Sequence, residues 1–271
     1  MSDSTLSLQL TRTSFPQPST SLERFGLKFS PGGSHISRTL MLAELDELLA
    51  RVSAGSAKEA YRDAILQDNV LGKGTDSTRR RSLRHLRELY GLDEGIPIFR
   101  LLRRLHGIDG GSLPLLAFLI AWGRDPLLRA TTLAVLGASE GERVPPSSLA
   151  RALETTFPGQ YSVVSIESTA QHCASSWGQA GYLSGHVTKI RRRVNPSPVA
   201  VTLALALGAV AGYHGAEVFS NPWCILLDLT SDRARAMAFE AHRAGLLNLR
   251  AVGEIVDLTF PQLDTFREYL S

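Results

Sequence analysis

The residues best equipped for chemistry stand between Gly74 and Gly91, in GTDSTRRRSLRHLRELYG. Arg79, Arg80, Arg81, Arg84 and Arg87 crowd into this stretch. An α-helix turns about 100° per residue, so Arg80, Arg81, Arg84 and Arg87 gather on one side, and Leu83, Leu86, Leu89 and Tyr90 gather on the other. One face can be buried while the other stays wet and positive. Guanidinium groups keep their charge and grip two oxygens at once, which suits them to phosphates. The bland alternative is a solvated face with Arg84 and Glu88 as an i,i+4 pair. A second basic cluster, Lys189, Arg191, Arg192 and Arg193, falls in a stretch that reads as a strand. Same-sign clusters repel unless an anion relieves them, so two of them favour a polyanion partner. Lys73 extends the first patch.

Enzymatic signals are weak beside this. Gly137-Ala-Ser139-Glu-Gly141 matches the GxSxG nucleophile elbow, but that motif needs a strand before it and a helix after it. Here a helical pattern precedes, and Val144, Pro145 and Pro146 follow. Gly72-Lys73-Gly74-Thr75 looks like part of a phosphate loop, yet Gln67 stands where its first glycine belongs. His172 and Cys173 are sequence neighbours, which on a helix point about 100° apart. The other histidines show neither HxH nor HExxH spacing, so no metal and no cofactor are expected. No acid–base pair of carboxylates stands out either, and the expectation is a protein without catalytic activity.

Composition bounds the class. The chain has 271 residues, 44% of them apolar and 20% charged, enough for a large core in one or two domains. The net charge of +3 is modest, so the cations are concentrated rather than spread. Cys173 and Cys224 make no CxxC pair and no disulfide framework, which fits a reduced, cytoplasmic setting. The N-terminal stretch lacks the pattern of a signal peptide, and the most apolar run, Val199 to Ala211, is too short to span a bilayer. That run reads as a buried helix, and no membrane partner is expected.

The elements that must hold the cations follow from periodicity and caps. Residues 1–33, rich in Ser, Thr, Pro and Gly, read as a flexible or extended lead-in. Residues 34–140 read as a helical domain. Leu40, Leu42, Leu45, Leu48 and Leu49 recur at helical spacing within 36–52. Ser56 and Glu59 suggest a capping box for a helix over 57–68, and Asp76 or Ser77 suggests the cap of the arginine helix. Gly91 stops that helix. Further helices start at Pro97, at Ser112 with Pro114 in its first turn, and at Asp125 with Pro126. The composition shifts over 139–148, where the reading places a domain boundary.

Residues 145–271 read differently. A short helix runs through Thr155, a turn follows at PheProGlyGln, and Ser162 caps a longer helix from Val163 to about Gly178. An alternating stretch, His186 to Val194, comes next. Helix, turn, helix and then a ribbon with a basic tip is the order of a winged helix-turn-helix. The second helix of that motif enters the major groove, where Ser168, Gln171 and Ser175 would face base edges. Ser165, Glu167 and His172 are further candidate readers on the same helix. The ribbon would bring Lys189 and Arg191 to Arg193 toward phosphates. Trp177 reads as packing between helix and ribbon, with base stacking as the lesser role. A last helix capped by Ser231, then alternation from Leu246 to Phe260 across Gly253, reads as a closing hairpin. That tail carries few cations and suits packing or a homo-oligomer surface.

Four segments carry a family resemblance: DNVLGKGTDSTRRRSLRHLRELYGL, AWGRDPLLRA, SSWGQAGYLSG with KIRRRV, and AHRAGLLNLRAVGEIVDLTF. In order and character they resemble BrxA, an accessory protein of bacterial BREX phage-defence systems. The likeness covers most of residues 36–260 and rests on no catalytic signature. It implies a mainly α fold, with a first half like the NusB antitermination bundle and a C-terminal winged helix-turn-helix with short hairpins. It also implies double-stranded DNA binding without catalysis, through the arginine helix, Ser175 to Leu183, and Lys189 to Arg193. The long Ser/Pro lead-in departs from the family. Two competing readings are an adaptor docking on other defence proteins and a NusB-like RNA binder.

Overall fold

Side chains at helix starts set most of the boundaries. The computed structural model of the chain describes residues 15–252, 255–261 and 269. The first fourteen residues and Gly253, at the turn expected between the last strands, lie outside the described residues. The helices are α1 (Thr20–Phe25), α2 (Leu42–Arg51), α3 (Lys58–Leu66), α4 (Asp76–Tyr90), α5 (Pro97–Ile108), α6 (Leu113–Arg124), α7 (Pro126–Ala130), α8 (Thr132–Leu136), α9 (Pro146–Thr156), α10 (Val163–Gln179), α11 (Pro198–Val210), α12 (Pro222–Leu226) and α13 (Ser231–Arg243). The strands are β1 (Leu183–Ser184), β2 (Ile190–Arg191), β3 (Asn248–Val252) and β4 (Ile255–Thr259). The protein is therefore mainly α-helical, with two short antiparallel strand pairs.

Several caps stand where the sequence puts them. Ser162 Oγ accepts from the Ser165 N–H at 3.2 Å, and Asp125 Oδ1 accepts from the Leu127 and Leu128 N–H groups at 3.0 and 3.1 Å. Others shift by a residue or fail. Thr75, not Asp76 or Ser77, caps α4 by accepting from the Thr78 N–H at 3.2 Å. Thr230 rather than Ser231 caps α13. The box expected from Ser56 and Glu59 does not form, because Ala57 occupies the cap position of α3. Gly91 ends α4 at φ 97°, a conformation that suits glycine.

The lead-in is not extended throughout. Residues Thr20–Phe25 fold as α1, with Leu22 and Phe25 buried. Phe15 packs edge-on to Trp122 under the Arg129 guanidinium, 3.7 Å from its ring centroid. Apolar residues hidden among Ser and Pro explain the difference, since a few buried rings offset the ordering of a short segment.

One continuous apolar cluster runs across residues 139–148, between α8 and α9. Phe118 of α6 sits 4.5 Å from Trp177 of α10, and Trp177 sits 4.8 Å from Tyr182, centroid to centroid. The Trp177 indole donates to Thr131 Oγ1 at 2.8 Å, so this residue packs rather than stacks on a ligand. α11 is buried all round and packs on α5, α6, α12 and α13. No helix among the described residues is long and apolar enough to cross a membrane.

The ribbon is two paired strands with a third extended segment along β2. β1 pairs with β2 through Leu183 with Arg191 and Ser184 with Ile190. On the other side of β2, Arg143 pairs with Ile190, the Val144 N–H donates to Lys189 O and the Arg191 N–H donates to Glu142 O, both at 2.9 Å. β3 and β4 pair over five residues, from Asn248 with Thr259 to Val252 with Ile255.

Candidate nucleic-acid interface

The arginine helix α4 buries Leu83, Leu86, Leu89 and Tyr90, and the Tyr90 hydroxyl donates to Leu40 O at 2.6 Å. The buried Arg124 closes its C-terminal end by donating to Arg87 O and Glu88 O, both at 3.2 Å, and to Gly26 O. A cation there satisfies carbonyls that the helix itself leaves without partners. This anchoring turns Arg80, Arg81, Arg84 and Arg87 to solvent.

Not all the expected cations stay available. Arg80 is held by Asp76 at 2.7 Å. Arg79 is half-buried and donates to Leu66 O at 2.6 Å, bracing the end of α3. Lys73 pairs with Glu44 at 2.9 Å. The Arg84–Glu88 pair does not form, because Glu88 accepts instead from Ser34 Oγ at 2.9 Å. Among the described residues, Arg81, Arg84 and Arg87 make no ion pair.

Arg191 corrects the sequence reading outright. Its side chain is buried, ion-paired with Asp228, and lies 5.7 Å from the Tyr182 ring centroid. On a two-residue strand, alternate side chains point to opposite faces, and Arg191 takes the inner one. It is a core cation and does not face a ligand. Arg192 is exposed, with its Nε donating to Ser184 Oγ at 3.0 Å. Arg193 lies 4.0 Å from Glu140. Lys189 is half-buried, and its ammonium donates to Gly185 O at 2.9 Å. At the ribbon tip Val187 is 84% exposed.

On α10 the solvent face carries Val163, Val164, Glu167 and Gln171 and no cation. Ser168 is half-buried and its hydroxyl donates to Ser165 O at 3.0 Å, and Ser175 is half-buried too. Gln171 is thus the expected reader that stands most freely. His172 is turned inward, with Nδ1 3.0 Å from His35 O.

The segment 34–41 joins the two helices; the sequence reading starts a helix at Ile36, whereas the helix begins at Leu42 and Ser34–Ile36 forms a 3₁₀ turn. Toward α4, Ser34 meets Glu88 and the His85 ring, and Ser37 Oγ lies 3.5 Å from His85 Nε2. Toward α10, Ser176 Oγ accepts from the Leu40 N–H at 3.0 Å, and Gln179 Nε2 donates to Thr39 Oγ1 at 3.2 Å. At the centre His35 Nδ1 is 2.8 Å from Asp125 Oδ2 and its Nε2 is 2.9 Å from Ser176 Oγ. Ser, His and Asp in this relay have the connectivity of a nucleophile triad. All three are buried, and the hydroxyl also donates to His172 O at 3.0 Å. The relay therefore serves as a clasp. Burial opposes ionisation of Asp125, but His35 and the N–H groups of Leu128 and His35 outweigh it and hold its carboxyl below the usual range.

Nothing in sequence spacing could have joined residues 35, 125 and 176. No protein-family model matches the chain, and no curated protein matches it significantly. Among the described residues, no three His, Cys, Asp or Glu side chains group to hold a metal ion. Ser139 sits in a turn between α8 and the extended residues 141–144, with its N–H donating to Glu142 Oε2 at 2.8 Å. That surrounding is not the strand–turn–helix of a nucleophile elbow.

Proposed function

We propose that this chain binds double-stranded DNA without catalysis, chiefly through phosphates. The observation that carries the reading is the outer face of α4, where Arg81, Arg84 and Arg87 stand exposed and unpaired among the described residues. Uncompensated guanidinia held on a rigid helix are costly to collect unless an anion visits them. The order α8, extended 141–144, α9, α10, β1, β2 supports a winged helix-turn-helix, in which α10 presents Val164, Glu167 and Gln171 to a groove and the ribbon presents Arg192. Affinity comes mostly from phosphates and sequence choice is limited, because the exposed face of α10 carries no arginine or lysine to bind guanine. The resemblance to BrxA supports a place among the accessory components of a phage-defence system.

Duplex binding followed by fluorescence anisotropy at rising salt tests the proposal. Binding at low salt that weakens steeply is expected. Binding indifferent to salt, or none at low salt, overturns it. Single-stranded RNA that displaces the duplex at equal concentration transfers the reading to RNA, since phosphates alone do not separate the two.

A further inference from the structure

We infer that Arg38, together with Arg81 and Arg84, forms a phosphate-binding subsite over the ring of His85, and that this subsite joins the arginine helix to the helix–ribbon unit. The inference rests on the duplex reading above and extends it to a residue that lies far from both basic clusters in sequence. Arg81 and His85 are four apart on α4 and share a face. Arg84 Nη2 lies 3.3 Å from His85 Nε2, and Ser37 Oγ lies 3.5 Å from the same nitrogen. Arg38 is anchored by donating to Ser37 O at 2.7 Å, on the residue whose Oγ faces the same ring nitrogen. Burial, then Arg84 and Arg38, then Arg81 push the His85 imidazole toward its neutral form, against the pull of Glu88. Glu88 is occupied by Ser34. Among the described residues none of the three arginines has a carboxylate partner. Three guanidinia thus act on one ring against the single carboxylate of Glu88, which leaves net positive charge there, and a phosphate oxyanion is the ligand that would relieve it.

Position makes the subsite a bridge. Arg38 is followed by Thr39, which Gln179 contacts at the end of α10. Gly178 next to it stands beside Lys189, whose ammonium is 3.8 Å from where a Cβ on that glycine would be. Residues 37 and 39, on either side of Arg38, thus reach His85 on the arginine helix and Gln179 at the end of α10, beside the base of the ribbon.

The test uses the full chain in two arms. In the first, the salt dependence of duplex binding is compared for wild type, Arg38→Ala, Arg38→Lys and Arg243→Ala, the last on α13. Arg38→Ala lowers the slope of log affinity against log salt by about 0.9, the share of one phosphate, while Arg38→Lys restores it and Arg243→Ala leaves it unchanged. In the second arm the His85 ring proton is followed by NMR as inorganic pyrophosphate is added. A resonance that shifts, and titrates at higher pH, in wild type but not in Arg38→Ala is expected, because a nearby anion favours the imidazolium. A wild type that binds duplex with a slope unaffected by Arg38→Ala overturns the subsite and leaves the DNA reading standing. A pyrophosphate response of His85 without duplex binding overturns the DNA reading and leaves the subsite standing. An unmoved His85 with either ligand overturns the subsite.

Discussion

Replacing Arg81, Arg84 and Arg87 together with glutamine removes three charges from the outer face of α4 and little else. Glutamine and arginine have similar helix propensity, so the helix persists. The buried side of the helix, Leu83, Leu86, Leu89 and Tyr90, is untouched. Each phosphate neutralised by a protein cation contributes about 0.9 to the slope of log affinity against log salt. With Arg81 and Arg84 sharing the one phosphate of the Arg38 subsite and Arg87 meeting another, the triple variant loses a slope of about 1.8, which between about 50 and 200 mM salt is a factor of about 12 in relative affinity. The assay is anisotropy of a labelled duplex over that range, with folding checked by circular dichroism. Arg80→Gln alone should move the slope less than any of the three, because Asp76 already compensates it. A triple variant with the wild-type slope would refute the reasoning, as would a wild-type slope shallower than about 1.8.

Other consequences are measurable by urea unfolding. Asp228→Ala strands Arg191 in the core and should cost about 3–5 kcal/mol, whereas Arg191→Met with Asp228→Leu should cost far less; equal losses would deny the buried pair its role. Asp125 has a carboxyl held below its ordinary 3.8, so it contributes stability that is present above that pH and is lost as pH falls through the folded value. The Asp125→Asn variant should then show a flatter decline in unfolding midpoint below about pH 4, and parallel curves would sink the assignment. Gly208→Ala places a Cβ 2.4 Å from Asn221 Nδ2, in a side chain fixed by bonds to Val218 O and to the Trp223 and Cys224 N–H groups. A loss of about 1–3 kcal/mol is expected in place of the gain a helix usually takes from Gly→Ala, and a more stable variant would contradict the close approach.

Local signals carried most of the helices, because caps and apolar spacing act over a few residues. Ser162, Asp125, Gly91 and the face of Leu83, Leu86 and Leu89 were all readable in this way. Long-range contacts were not. Arg191 and Arg192 are adjacent cations with no difference in type, and only the ribbon's pairing decides that one meets Asp228 inside while the other meets water. α1 was hidden by its Ser and Pro neighbours, and α12 with the 3₁₀ turn Gly215–Ser220 lies in a stretch without clear periodicity. Of the candidate site, the arginine helix was legible in outline. Arg38 was not, since a lone arginine in a loop gains meaning only when folding brings its neighbour Ser37 against His85.

α11 also decides how the chain responds to being cut. It follows the turn at 139–148 in sequence yet packs on α5 and α6, which precede that turn. Neither piece made by a protease there has a dry surface of its own: one would expose the side of Phe118, the other the side of Trp177 and α11. A chain nicked at this turn should therefore travel through a sizing column as a single intact particle, and come apart only in denaturant.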